Sequence, residues 1–280
     1  MVMNDFALGD GAFHKVVMRM RYLIGRSCLV VILAMTSARA APAVRVPVRF
    51  VQRPLHRYMV ARSESGRILA KGEFSQEVQG NEVTMHLTYR FVDGSIDDET
   101  TTYRQQNTFQ LVRNHHIQKG PFFPKPIDFT VEAATSTATS RRLDKNGKTH
   151  VESGHIDLPG DLANGFVGTL LLNAPTNGAP FRVGILAPVG GGRLIRILIS
   201  PEGEQPFRAE GKDRRATVFR VHPELGGIVG LIAPLIGMQP KDVMVWILEG
   251  EEPAVVRMVG QLDGFGPVVN SQLEGTSFAK

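Results

Sequence analysis

The chain has 280 residues, with 32 basic against 27 acidic side chains for a formal net charge of +5, and one cysteine. That length allows one large domain or two small ones and buries enough surface to fold without a disulfide or metal staple. The single thiol excludes an internal disulfide and a Cys-ligated zinc site, and so mild a net charge does not argue for a nucleic-acid partner, where a clustered basic face is expected.

The first element is a leader. Arg19, Arg21 and Arg26 precede an apolar run at 28–35, followed by Ser37-Ala38-Arg39-Ala40-Ala41-Pro42. A basic head, a short hydrophobic middle and a small-x-small exit make a secretory signal peptide over 1–40, with Ala38 and Ala40 at the cleavage site and Ala41 as the first mature residue. Spanning a bilayer takes about 20 apolar residues, so this run predicts cleavage and a mature chain without a transmembrane anchor. Cys28 opens the run directly after Arg26-Ser27, the wrong place for lipid attachment. Asn4, Asp5 and Asp10 lie ahead of the basic region and suggest a translation start at Met18 or Met20. Export to the periplasm or the exterior is therefore expected. The mature chain then has no cysteine and is indifferent to the redox state of its compartment. The leader also removes Lys15, Arg19, Arg21, Arg26 and Arg39, which leaves the remainder close to neutral.

Residues 41–56, with Pro42, Pro47 and Pro54, read as an extended linker. Arg45, Arg49, Arg53, Arg57 and Arg62 punctuate it and the segment that follows. They form either a solvated arm or a contact with an anionic envelope surface. A β domain is expected over 57–275, with a subdivision at 174–180 as the alternative. Strands are predicted at 58–62, 68–78, 83–90, 96–105, 109–117, 127–133, 139–143 and 149–158. Val83, Met85, Leu87 and Tyr89 alternate with Thr84, His86, Thr88 and Arg90, the period of a strand with one apolar face. Asp93-Gly94 is a hairpin turn. Connections this short favour antiparallel pairing, because parallel neighbours need a crossover of a dozen residues or more.

A helix is predicted over 161–173, with Asp161 as its N-cap after Pro159-Gly160 and with Gly165 and Gly168 weakening it. Strands resume at 181–187, 194–200, 207–210, 217–222, 243–248, 255–262 and 268–273. Between 217–222 and 243–248 lies the most apolar mature stretch, 225–238, which Pro234 keeps from forming a continuous helix. It either closes one end of the sheet as buried core or covers an apolar cavity as a lid, through Ile228, Leu231, Ile232, Leu235 and Ile236. The fold class is thus mainly β: an antiparallel meander forming a strongly curved sheet, half-barrel or barrel, with one or two short helices.

Chemistry-bearing motifs are sparse. No G-x-S-x-G, H-E-x-x-H or G-x-G-x-x-G occurs, and Gly147-Lys148-Thr149 has Arg142 where a phosphate loop needs glycine. No cofactor is expected. His115-His116 is the best metal candidate, but neighbours on a strand point to opposite faces, so only one, taken as His115, can contribute. Asp97 and Glu99 share a face and offer oxygen ligands of the kind calcium takes. His155, Asp157 and Asp161 are the candidates for hydrolysis, without a nucleophile in a recognisable setting.

Four segments, Thr88–Ser95, Gln118–Pro121, Asp157–Gly165 and Ala233–Gly237, resemble segments of uncharacterised exported bacterial β-rich proteins, a likeness extending over most of 57–265. That resemblance implies a β fold and no catalytic residue. In architecture the predicted fold is similar to periplasmic half-barrels that carry lipoproteins or lipids. The leading expectation is a non-enzymatic envelope protein binding an apolar or amphipathic ligand in the concavity of its sheet. A protein-interaction module that docks another envelope protein is the alternative, and a hydrolase the third.

Overall fold

The computed structural model describes residues 45–143, 147–189, 191–209, 211–225, 240–250, 253–264 and 266–278. All belong to one unit of the chain, 41–280. The predicted leader with Ala38, Ala40 and Ala41, Cys28, and the predicted lid residues Ile228, Leu231, Ile232, Leu235 and Ile236 lie outside the described residues.

Eight strands run in sequence: β1 (Leu55–Arg62), β2 (Ile68–Gln79), β3 (Glu82–Phe91), β4 (Ile96–Gln105), β5 (Phe109–Lys119), β6 (Ile127–Glu132), β7 (Thr137–Leu143) and β8 (Thr149–His155). A short helix, α1 (Val167–Asn173), follows. Then come β9 (Phe181–Ala187), β10 (Arg193–Ala209), β11 (Lys212–Glu224), β12 (Val243–Leu248), β13 (Ala254–Gln261), β14 (Val268–Leu273) and β15 (Thr276–Phe278). They form one 15-stranded sheet in the order β15-β10-β11-β12-β13-β14-β1-β2-β3-β4-β5-β6-β7-β8, with β9 also on β10. Every strand pair is antiparallel, as the short connections predict. Two hairpin series meet where β1 lies between β2 and β14, Met59 standing opposite Gly72 on one side and Leu273 on the other.

Alternation decides which face is inside. Val83, Met85 and Tyr89 of β3 are buried, while His86 and Arg90 are exposed. The main core gathers Tyr103 and Phe129 from one series with Val183, Ile197, Phe219 and Ile247 from the other, around Phe166, Leu170 and Leu171. The two halves of the sheet therefore face one another across α1, which fills part of the concavity.

The sheet does not close into a barrel. Gly154 of β8 comes close to Gly191 in the turn between β9 and β10 without strand pairing; a β-carbon on Gly191 would stand 2.9 Å from the Gly154 amide nitrogen. The chain leaving β8 covers the free edge of β9 instead. Ala163 N donates to Gly184 O at 2.8 Å, Gly184 N donates to Asp161 O at 3.2 Å, and Leu162 makes a parallel bridge to Gly184.

Several expectations are corrected. The helix starts at Val167 rather than at 161, and its N-cap, Phe166, makes no side-chain cap. Asp161 is drawn away by Arg196, whose NH1 donates to Asp161 Oδ2 at 2.6 Å. The strands predicted at 194–200 and 207–210 are parts of one strand, β10, because a bulge between Pro201 and Glu204 absorbs the apparent turn. β8 ends at His155 rather than at 158. Residues 45–53 are extended, as expected of a linker, but they are strapped down. Val46 is buried; Arg49 N and Phe50 N both donate to Asn173 Oδ1, at 2.8 and 2.7 Å. Gln52 and Gln105 exchange two hydrogen bonds, at 2.7 and 3.0 Å.

Candidate functional site: the concave cavity

The pairing register carries rows of side chains across the concave wall. One row runs Arg57 (β1), Phe74 (β2), Leu87 (β3), Glu99 (β4), His116 (β5), Phe129 (β6). The next carries Met59, Tyr89, Asp97 and Ile127. Both rows line a cavity of about 1750 Å³, closed on other sides by Val167 and Leu172 of α1, Ile185 of β9, Ile195 of β10 and Met258 of β13. Most of this lining is apolar, as in sites that hold a ligand mainly by burial and orient it with a few polar groups.

The polar exception lies on β4 and β5. His116 Nε2 meets Asp97 Oδ1 at 2.7 Å, the two side chains 23% and 11% exposed. Glu99 stands opposite His116 in the register. Asn114 Nδ2 donates to Glu99 Oε1 and to Thr101 Oγ1, both at 2.9 Å. Burial alone would lower the His116 pKa, but the carboxylates of Glu99, Asp97 and Asp98 outweigh it and push it up to about 9. His116 is therefore a cation at neutral pH, facing two carboxylates. Tyr89 hydrogen-bonds to Ser271, and burial, against that bond, pushes its hydroxyl up to about 12. It stays neutral.

Gly165 fits against this cluster with φ +74, where a β-carbon would overlap Thr101 Oγ1 and stand 2.6 Å from Asn114 Nδ2. A residue without a side chain is thus required for the loop before α1 to dock on the polar patch.

Of the residues singled out in the sequence, Asp97 and Glu99 come together as the shared face predicts. His115 does not join them: it points away and meets Asp128 at 3.0 Å. The reason is a bulge. Thr102 pairs with Arg113 and Tyr103 with Leu111, so Val112 is the extra residue on β5. Phe109 and Leu111 point inward, and the extra residue flips the alternation so that Asn114, His116 and Gln118 follow them. Among the described residues no group of three His, Cys, Asp or Glu side chains is arranged to hold a metal ion. His155 is exposed, its Nδ1 3.3 Å from Thr135 O; Asp157 is exposed; Asp161 is held by Arg196. None of the three lines the cavity.

No family model and no curated protein matches the chain. Its fold is similar to that of a β-barrel-like protein of domain of unknown function DUF1849 from Brucella abortus. The TM-score is 0.46 at 8% sequence identity, covering 82% of this chain and 100% of that one. Among the described residues no helix is long and apolar enough to cross a membrane.

Proposed function

We propose that this protein is a non-enzymatic, exported binder that holds an apolar or amphipathic ligand within the concavity of its sheet. The cavity carries the reading. A space of about 1750 Å³ is walled by Phe74, Leu87, Ile185, Ile195 and Met258, and a buried polar patch sits on one wall. Apolar surface of that extent gains roughly 25 cal/mol for each Å² taken out of water. A lipid-sized molecule is the chemistry that fits. The basic, apolar and small-residue segments of the leader support export to the envelope.

The reading is tested by native mass spectrometry of protein purified from the cell envelope, beside its denatured mass. An excess native mass in the lipid range, lost on denaturation, is expected, and the denatured mass fixes the cleavage site. Delipidated protein should take up a neutral fluorescent apolar probe, and Leu87→Arg or Ile195→Arg should abolish uptake without changing the far-ultraviolet β signal. No excess mass together with no probe uptake would overturn the reading.

A further inference from the structure

Charge is sorted by depth in this cavity. Among the described lining residues, every exposed charged side chain is a cation: Arg49, Arg53, Arg57, Lys125, Arg142 and Arg193. The acidic lining residues lie deeper: Asp97 is buried, and Glu99 and Asp263 are half-buried. Three strand spacings of about 4.8 Å separate Arg57 from Glu99 in the same row, roughly 14 Å along the sheet.

Four of these rim cations are free of acidic partners among the described residues. Several arginines elsewhere on the sheet are neutralised: Arg113 by Glu132 at 2.7 Å, Arg182 by Glu224 at 2.5 Å, Arg220 by Glu202 at 2.7 Å. Arg142 at the rim is paired with Glu152. Arg49, Arg53, Arg57 and Arg193 have no acidic partner among the described residues. Three of them stand on or beside the strap, whose backbone is fixed by Asn173 and Gln105. Phe50 and Val51 lie between them, 38% and 65% exposed.

Resting on the binding reading above, we infer that the ligand is an anionic amphiphile, its chain inside the cavity and its carboxylate or phosphate head at the Arg49–Arg53–Arg57 rim. Guanidinium groups match the geometry of both anions. The deeper patch enforces the orientation: Asp97 and Glu99 against one cationic His116 leave surplus negative charge, which repels an anionic head that enters first. The field runs from negative floor to positive rim, so it both steers the ligand in and sets which end stays out.

A chain-matched series tests this on the full mature protein, delipidated: oleate, oleyl alcohol and oleylamine, each displacing a neutral apolar probe. Oleate should bind at least tenfold more tightly than the alcohol, and the amine most weakly. Raising salt should shrink the oleate advantage, because rim charges are screened. The triple variant Arg49→Gln, Arg53→Gln, Arg57→Gln should lose the advantage and keep the alcohol's affinity; Arg193→Gln gives a second, single-site variant. Acetate and inorganic phosphate should not displace the probe. Equal binding of oleate and alcohol, or an advantage that survives both salt and substitution, would overturn the inference while leaving the cavity reading intact. Displacement by acetate or phosphate alone would make this a small-anion site. Binding of none of the series would end both readings.

Discussion

Asn164 and Leu186 exchange two hydrogen bonds: the Asn164 side-chain Nδ2 donates to Leu186 O at 2.9 Å, and Leu186 N donates to Asn164 Oδ1 at 2.8 Å. A side-chain amide here takes the place of a strand backbone. With Ala163 on Gly184, it covers the outer edge of β9, which would otherwise offer unpaired groups to another chain. Asn164→Ala strips a buried donor and a buried acceptor of their partners at once. We expect a loss of about 2–4 kcal/mol in chemical denaturation and a rise in self-association on light scattering. Asn164→Asp keeps only the acceptor and should recover part of the stability.

Gly165 separates backbone conformation from crowding. A side chain there meets both the positive φ and an occupied space. At Gly80 the φ is +62, and nothing lies within 4 Å of a β-carbon. Gly80→Ala should cost about 1 kcal/mol, and Gly165→Ala about 3 kcal/mol or more, both read from urea melts.

The strap depends on one side chain. Asn173 is fully buried, accepts from Arg49 N and Phe50 N, and donates to Thr169 O at 2.9 Å. Asn173→Ala releases these groups and should cost about 2–3 kcal/mol. It should also speed tryptic cleavage after Arg49 while cleavage within the strands stays slow. Unchanged cleavage there would show that the glutamine pair alone holds the strap.

His116 gives a pH signature with a definite sign. Its pKa rises from an ordinary value near 6.5 to about 9 in the folded protein. The folded state therefore holds a proton that the unfolded chain releases between those values. The stabilisation is fully present below about pH 6.5 and is lost as pH climbs through about 9. Melting temperatures between pH 6 and 10 should fall, and His116→Gln should flatten that fall. Tyr89, raised from 10.0 to about 12, begins to add to the fall only near pH 10, at the top of this window.

The alternation of Val83, Met85, Leu87 and Tyr89 was enough to place an inner face, and the two-residue spacing of Asp97 and Glu99 was enough to put both carboxylates on it. His116 was not legible, because the bulge at Val112 leaves no compositional mark and reverses every later side chain on β5. Asp161 has the chemistry of a cap, and only the fold brings Arg196 to it, 35 residues away. Pro201-Glu202-Gly203 has the composition of a turn, yet pairing with β11 at Pro201 and again at Glu204 carries β10 past it as a bulge. The cavity and its sorted charge draw on residues from most of the chain, so no local pattern announces them.

The position of β1 between β2 and β14 has a kinetic meaning. The first strand of the sheet to emerge in synthesis takes its second neighbour from almost the last, Arg62 opposite Asn270. The two hairpin series can each zip up locally, but the joint between them must wait for the whole chain, and closing so long a loop is slow. Until then each series shows a bare flank, β1 on one and β14 on the other. A chain cut short before Val268 would keep that flank open for good, and it is there that aggregation of an incomplete product should begin.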